Sequence, residues 1–288
     1  MPIPSVPRCA VLVAHPGHEL VIHEFVSRSH PLVAVLTDGS GNTGESRLDS
    51  TTRVLEAAHA QPTSFYGGFT DAQCYAALLS GDADLFIGMA ESLADVLVAS
   101  RIEMVAGDAS EGWNPIHDIW RTVLNTAVAL TSDRLGRPVR NLEFLLFGSH
   151  AAAASSCSSD AIVMRLDEAA YERKLASSSA YSELHAEVAA AINGTTSSIV
   201  ASPTLSAELD RRLGGLNGDS YRVELLRPAG AAEMSDGPRV YELYGEMMVA
   251  AGRYREAIRH DRHLAPIEAA LQQHAMRETR SSVSSAAR

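Results

Sequence analysis

Six consecutive apolar positions, 9–14, form a run too short for a helix and β-branched enough for a strand buried on both faces. Similar runs at 31–37, 64–66, 102–106 and 142–147 predict further strands, as do 161–166 and 221–226. Between them the apolar period lengthens. Leu20, Val21, Phe25 and Val26 predict a helix after the first strand, and 49–60, capped by Asp49 or Ser50, predicts another. Residues 88–98 and the series Trp120, Val123, Leu124, Ala127 and Val128 predict two more. Strand and helix therefore alternate through the first 150 residues, which predicts an α/β fold with a parallel, doubly wound sheet. The Ala- and Ser-rich stretch 151–159 reads as a link. Beyond it the pattern is mainly helical, from a cap at Asp167 onward to Ile192 and again near 239–251 and 253–276. This divides the chain into a sheet domain at 1–166, a mainly helical C-terminal extension packed on it at 167–280, and a disordered tail at 281–288.

The polar residues concentrate where strands end. His15, Pro16, Gly17, His18 and Glu19 follow the first strand directly. A glycine-rich loop from Asp38 to Gly44 follows the second, which makes Asp38 a candidate substrate contact. The strand at 102–106 runs into Gly107–Asp108 and then Glu111, Trp113, Asn114, His117 and Asp118. His150 follows the strand at 142–147. In open parallel sheets ligands bind outside the carboxyl ends of the strands. His15, His18 and His117 are therefore candidate ligands of one metal ion. Three imidazoles with an open fourth position suit catalytic zinc, and would also suit iron, copper or nickel. His23, His30 and His59 are weaker candidates, and His150 is a candidate substrate contact.

Composition narrows the partners. The net charge is −11, with 24 basic residues against 35 acidic ones, which argues against nucleic acid or an anionic membrane. Lys174 is the only lysine, which argues against a lysine phosphate cradle or Schiff base. Three scattered cysteines make neither a disulfide framework nor a metal knuckle, consistent with a reducing cytoplasm. With no signal-like or membrane-length apolar run, a soluble cytoplasmic protein with a small-molecule substrate is expected. Homo-oligomerisation stays open.

Four motifs, in order, carry a family resemblance. Ala14-His15-Pro16-Gly17-His18-Glu19 resembles the Ala-His-Pro-Asp-Asp-Glu signature of the PIG-L-type (LmbE-like) N-acetylglucosaminyl deacetylase superfamily. Leu36-Thr37-Asp38-Gly39 is similar to its second-strand turn, and Arg53-Val54-Leu55-Glu56-Ala57-Ala58 to its Arg-x-x-Glu helix. Asn114-Pro115-Ile116-His117-Asp118 resembles its His-Pro-Asp-His turn. The resemblance implies a Rossmann-like fold and a single zinc held at His15, His18 and His117. Arg53 is, separately, a candidate contact for a polar substrate. The resemblance departs in two places. His18 stands where the family has a carboxylate ligand, and Gly17 where it has the general base. A substitute base is then required, with Glu111 favoured over Asp108, Glu19 and Asp118 as candidates.

The expected activity is zinc-dependent hydrolysis of an N-acyl C–N bond in a small polar or sugar-like molecule, with a different divalent transition metal as an option. The alternative is a metal-binding descendant that does not hydrolyse, because Gly17 cannot accept a proton.

Overall fold

The computed structural model describes residues 7–41, 44–147, 150–184, 188–189, 207, 221–230 and 237–286. Its centre is a seven-stranded sheet in the order β3-β2-β1-β4-β5-β7-β6. The strands are β1 (Cys9–Val13), β2 (Leu32–Thr37), β3 (Gln61–Phe69), β4 (Met104–Asp108), β5 (Arg140–Phe144), β6 (Ile162–Arg165) and β7 (Val223–Pro228). β1 to β5 are mutually parallel. β7 runs antiparallel to both β5 and β6, so the sheet is mixed at that edge and takes one strand from beyond residue 166.

Every residue of β1 is buried, which explains its unbroken apolar run. Because side chains alternate across a strand, Ala10 and Leu12 join one core while Cys9, Val11 and Val13 join the other. The first core is covered by α3 (Asp71–Ser80), α4 (Ala83–Ala99) and α5 (Pro115–Leu135), with Trp120 fully buried in it. The opposite face carries α1 (His23–Ser29) and α2 (Leu48–Ala57).

The sheet order reverses between β1 and β4. Strands 2 and 3 extend to one side of β1, and strands 4 and 5 to the other. That reversal is the switch point at which doubly wound sheets open a crevice.

The remaining elements differ from the sequence reading in four places. α6 (His150–Ser155) is a short helix where a link is expected, in keeping with alanine's strong helix propensity. α3 is absent from the sequence reading. Residues 251–259 are not helical, and a π-helical turn (His260–Leu264) leads into the last helix. α7 (Glu168–Ser179) starts at the Asp167 cap as expected, whereas much of its expected continuation to Ile192 lies outside the described residues. α8 (Val240–Ala250) and α9 (Ala265–Ala286) complete the chain. α9 runs past Ser281, where the sequence reading begins a tail, and 287–288 lie outside the described residues. Among the described residues no helix is long and apolar enough to cross a membrane.

Candidate metal centre

His15 and His18 sit on the turn that leaves β1. Gly17 holds φ +104 there, and a 3-10 helix begins at His18. His117 sits in the first turn of α5, whose start is fixed locally. Asn114 accepts the Ile116 amide at 2.8 Å, and Pro115 occupies the first helical position. The switch point brings the two turns together. Ring centroids lie 5.3 Å apart for His15–His18, 4.9 Å for His15–His117 and 4.7 Å for His18–His117.

Two of the rings are braced by carboxylates. His15 Nδ1 lies 3.0 Å from Asp71 Oδ1 and 2.8 Å from Thr37 Oγ1. His18 Nδ1 lies 2.9 Å from Asp108 Oδ2, which also accepts the Ala14 amide at 2.7 Å. A carboxylate only accepts, so each Nδ1 carries the proton and each Nε2 the lone pair. His15 Nε2 is buried without a hydrogen-bond partner. This carboxylate–imidazole arrangement is the one that orients metal-binding histidines.

Burial lowers the proton affinity of His15, and lowers that of His117 well below the usual histidine range, where His18 and His15 add to the effect. Neutral rings keep the lone pairs that a cation needs. Asp71 behaves oppositely. Burial alone would raise its pKa, but bonds from His15, the Gly41 amide and Thr37 hold it down to about 2. In chemistry, and in the unpartnered His15 Nε2, the donor set is of the kind that takes a divalent transition metal. As the side chains stand, no group of three or more His, Cys, Asp or Glu among the described residues is disposed to hold a metal ion.

The other candidates are placed as follows. Glu111 is engaged elsewhere, since its two oxygens accept the amides of Leu146 (2.8 Å) and Phe147 (3.1 Å). Burial pushes its pKa up to about 8 against those bonds. Glu19 is fully buried, accepts the Gly17 amide at 2.8 Å through Oε2, and leaves Oε1 unpartnered. Asp118 Oδ1 accepts the amides of Glu111 and Gly112, while Oδ2 has no partner. Asp108 is fully buried with Oδ1 unpartnered.

Three proposed substrate contacts sit apart from the rings or are already bonded. Arg53 is exposed and donates to Ser50 Oγ at 2.7 Å. Asp38 accepts the Ser40 amide at 2.9 Å and shapes its own loop. His150 is buried, with one ring nitrogen 3.1 Å from the Val223 carbonyl and the other 2.8 Å from the Leu145 carbonyl.

Two residues enter the site that the sequence reading leaves out. Asp71 lies in the first turn of α3, whose start was marked by the Thr70–Gln73 capping box. Arg47 lies across Gly39 beside the first histidine turn. A methyl placed on Gly39 would stand 3.0 Å from Pro16 Cδ and 3.2 Å from Arg47 Cδ.

Gly17 is constrained twice. Its φ lies beyond ordinary L-residue space, and a β-carbon there would stand 2.2 Å from Leu184 Cδ1. A side chain at position 17 would have to push the Leu184 methyl aside as well as adopt that φ. Gly17→Asp should accordingly lower stability by about 2 kcal/mol, combining left-handed strain and displaced packing. Urea unfolding measures this, and an unchanged midpoint would show that Leu184 yields freely.

No protein-family model matches the chain, and no curated protein matches it by sequence. Among solved structures the chain is similar to three of a teicoplanin-pathway deacetylase. These are the zinc-inhibited form of teicoplanin deacetylase Orf2 (TM-score 0.46, 10% identity), a deacetylase–bog complex (0.46, 11%) and a deacetylase triple mutant (0.42, 12%). Each match covers 78% of this chain and 100% of the other.

Proposed function

We propose that the chain is a metal-dependent hydrolase of an N-acyl C–N bond, acting on a small polar or sugar-like molecule, with zinc as the metal. The observation that carries this reading is the gathering of His15, His18 and His117 at the switch point, two of them braced by Asp71 and Asp108. The order of the four motifs that resemble PIG-L-type deacetylases points the same way. A divalent cation bound by the three rings would polarise the acyl oxygen and lower the pKa of a water.

The chain's own residues do the rest. Asp71 and Asp108 fix the tautomers of His15 and His18, so both rings present Nε2. Asp108 is a positioning residue in this reading: its Oδ2 accepts the His18 Nδ1–H, on the side of that ring away from the Nε2 that would face a cation. Glu111 is tied to two backbone amides and serves to hold the loop after β5.

Release of acetate from N-acetyl sugars by metal-loaded protein tests the reading. Asp108→Asn should lower zinc affinity by about 10- to 100-fold, as loss of a residue that orients a ligand does. Unchanged affinity in Asp108→Asn would remove Asp108 from the role. Gly17 favours a second reading, a metal-holding protein that binds without hydrolysis. Tight metal binding without release of any acyl group would establish it.

A further inference from the structure

Following the sheet across its carboxyl edge, the character of the loops changes. The loop after β2 is polar, with Asp38, Ser40 and Arg47 among its described residues. The turns after β1 and β4 carry the three rings. Beyond them, the segment after β5 presents Leu145, Leu146 and Phe147, all half-buried. Trp113, from the β4 turn, packs edge-on against Phe147 with centroids 5.1 Å apart. It too is half-buried. Leu146 leans on the core, whereas Phe147 and Trp113 form a small apolar wall.

The wall is held in place. Half-buried Glu111 accepts the amides of Leu146 and Phe147, which ties the β5 segment to the turn that carries Trp113. A fixed apolar surface near a few placed polar groups is the make-up of a binding site.

We propose that Trp113 and Phe147 form an acyl-chain subsite, so that the favoured substrate carries an aliphatic or aromatic acyl group longer than acetyl. The inference rests on the hydrolase reading and extends it to the acyl group. With the carbonyl over the rings, the polar β2 side faces the amine and the apolar β5 side faces the acyl chain. Strands lie about 4.8 Å apart, so the wall is roughly 7 Å from the switch point, beyond the reach of acetyl but within that of a chain of several carbons.

The test is binding to the metal-loaded protein of acetohydroxamate and octanohydroxamate, which share a metal-binding head and differ only in the chain. Calorimetry gives the affinities. Tryptophan emission locates the chain, because the only other tryptophan, Trp120, is fully buried. Octanohydroxamate should bind at least about tenfold more tightly, the gain from burying two of its six extra methylenes, and should shift the emission. Trp113→Ala and Phe147→Ala should each shrink that advantage below threefold while leaving acetohydroxamate affinity unchanged. Equal affinities in the unaltered protein would overturn the subsite and leave the hydrolase reading standing. So would an octanoyl advantage that survives both substitutions. Binding of neither compound would overturn the metal reading, and the subsite with it.

Discussion

Replacing His117 by alanine will lower the affinity of the chain for zinc by at least about 100-fold, and hydrolysis will fall with it. Loss of a residue that merely orients a ligand costs 10- to 100-fold in metal affinity, and loss of the ligand itself costs no less. His117 is the one ring of the three contributed by the far side of the switch point. Its neighbours His15 and His18 lie 4.9 and 4.7 Å away between centroids. Competition with a chromophoric chelator measures the effect. His30→Ala is the matched control, because that ring lies at the end of α1 and bonds the Ala58 carbonyl. An unaltered affinity in His117→Ala would place the cation elsewhere.

Glu224→Ala will destabilise the fold by about 3–5 kcal/mol, the usual penalty for leaving a buried charge without its partner. Lys174 and Glu224 are both 1% exposed and 3.0 Å apart. Lys174 also donates to the Val21 carbonyl, and Glu224 accepts the amides of Glu24 and Phe25 at 2.9 and 2.8 Å. The pair therefore pins α7 and β7 to the helix that follows the His15–His18 turn. Burial lowers the proton affinity of Lys174, and Glu224 opposes that shift. Removing Glu224 leaves an ammonium in the core. A paired substitution, Lys174→Met with Glu224→Met, should recover only the part of the loss due to the unpaired charge, because the Glu24 and Phe25 amides still lose their acceptor. Guanidinium unfolding reads both, and a change under 1 kcal/mol in Glu224→Ala would show that the pair is not buried in solution.

The central sheet was legible because strands buried on both faces leave unbroken apolar runs, as at 9–14 and 31–37. The turns behind them were legible because polar residues crowd where those runs stop. That His15, His18 and His117 fall at one sheet edge followed from the parallel order, and their grouping as one set from the motif resemblance. Other features depend on which loops abut, and a linear pattern does not carry that. Asp71 meets His15 because β3 lies outside β2, which brings the start of α3 over the first turn. β7 enters the sheet from residues 223–228, far along the chain from its partner β5, and nothing in its local pattern announces an antiparallel pairing. Glu111 reads as a free carboxylate in sequence. Its engagement with Leu146 and Phe147 appears only once β5 is set beside β4. Gly17 reads as a missing base, whereas its φ of +104 makes glycine the residue that the turn favours.

The most direct test is a crystal of zinc-loaded protein measured on both sides of the zinc absorption edge. The account predicts one anomalous peak per chain, bonded to His15, His18 and His117. A zinc peak bound away from these rings, or none from protein grown in excess zinc, would contradict it.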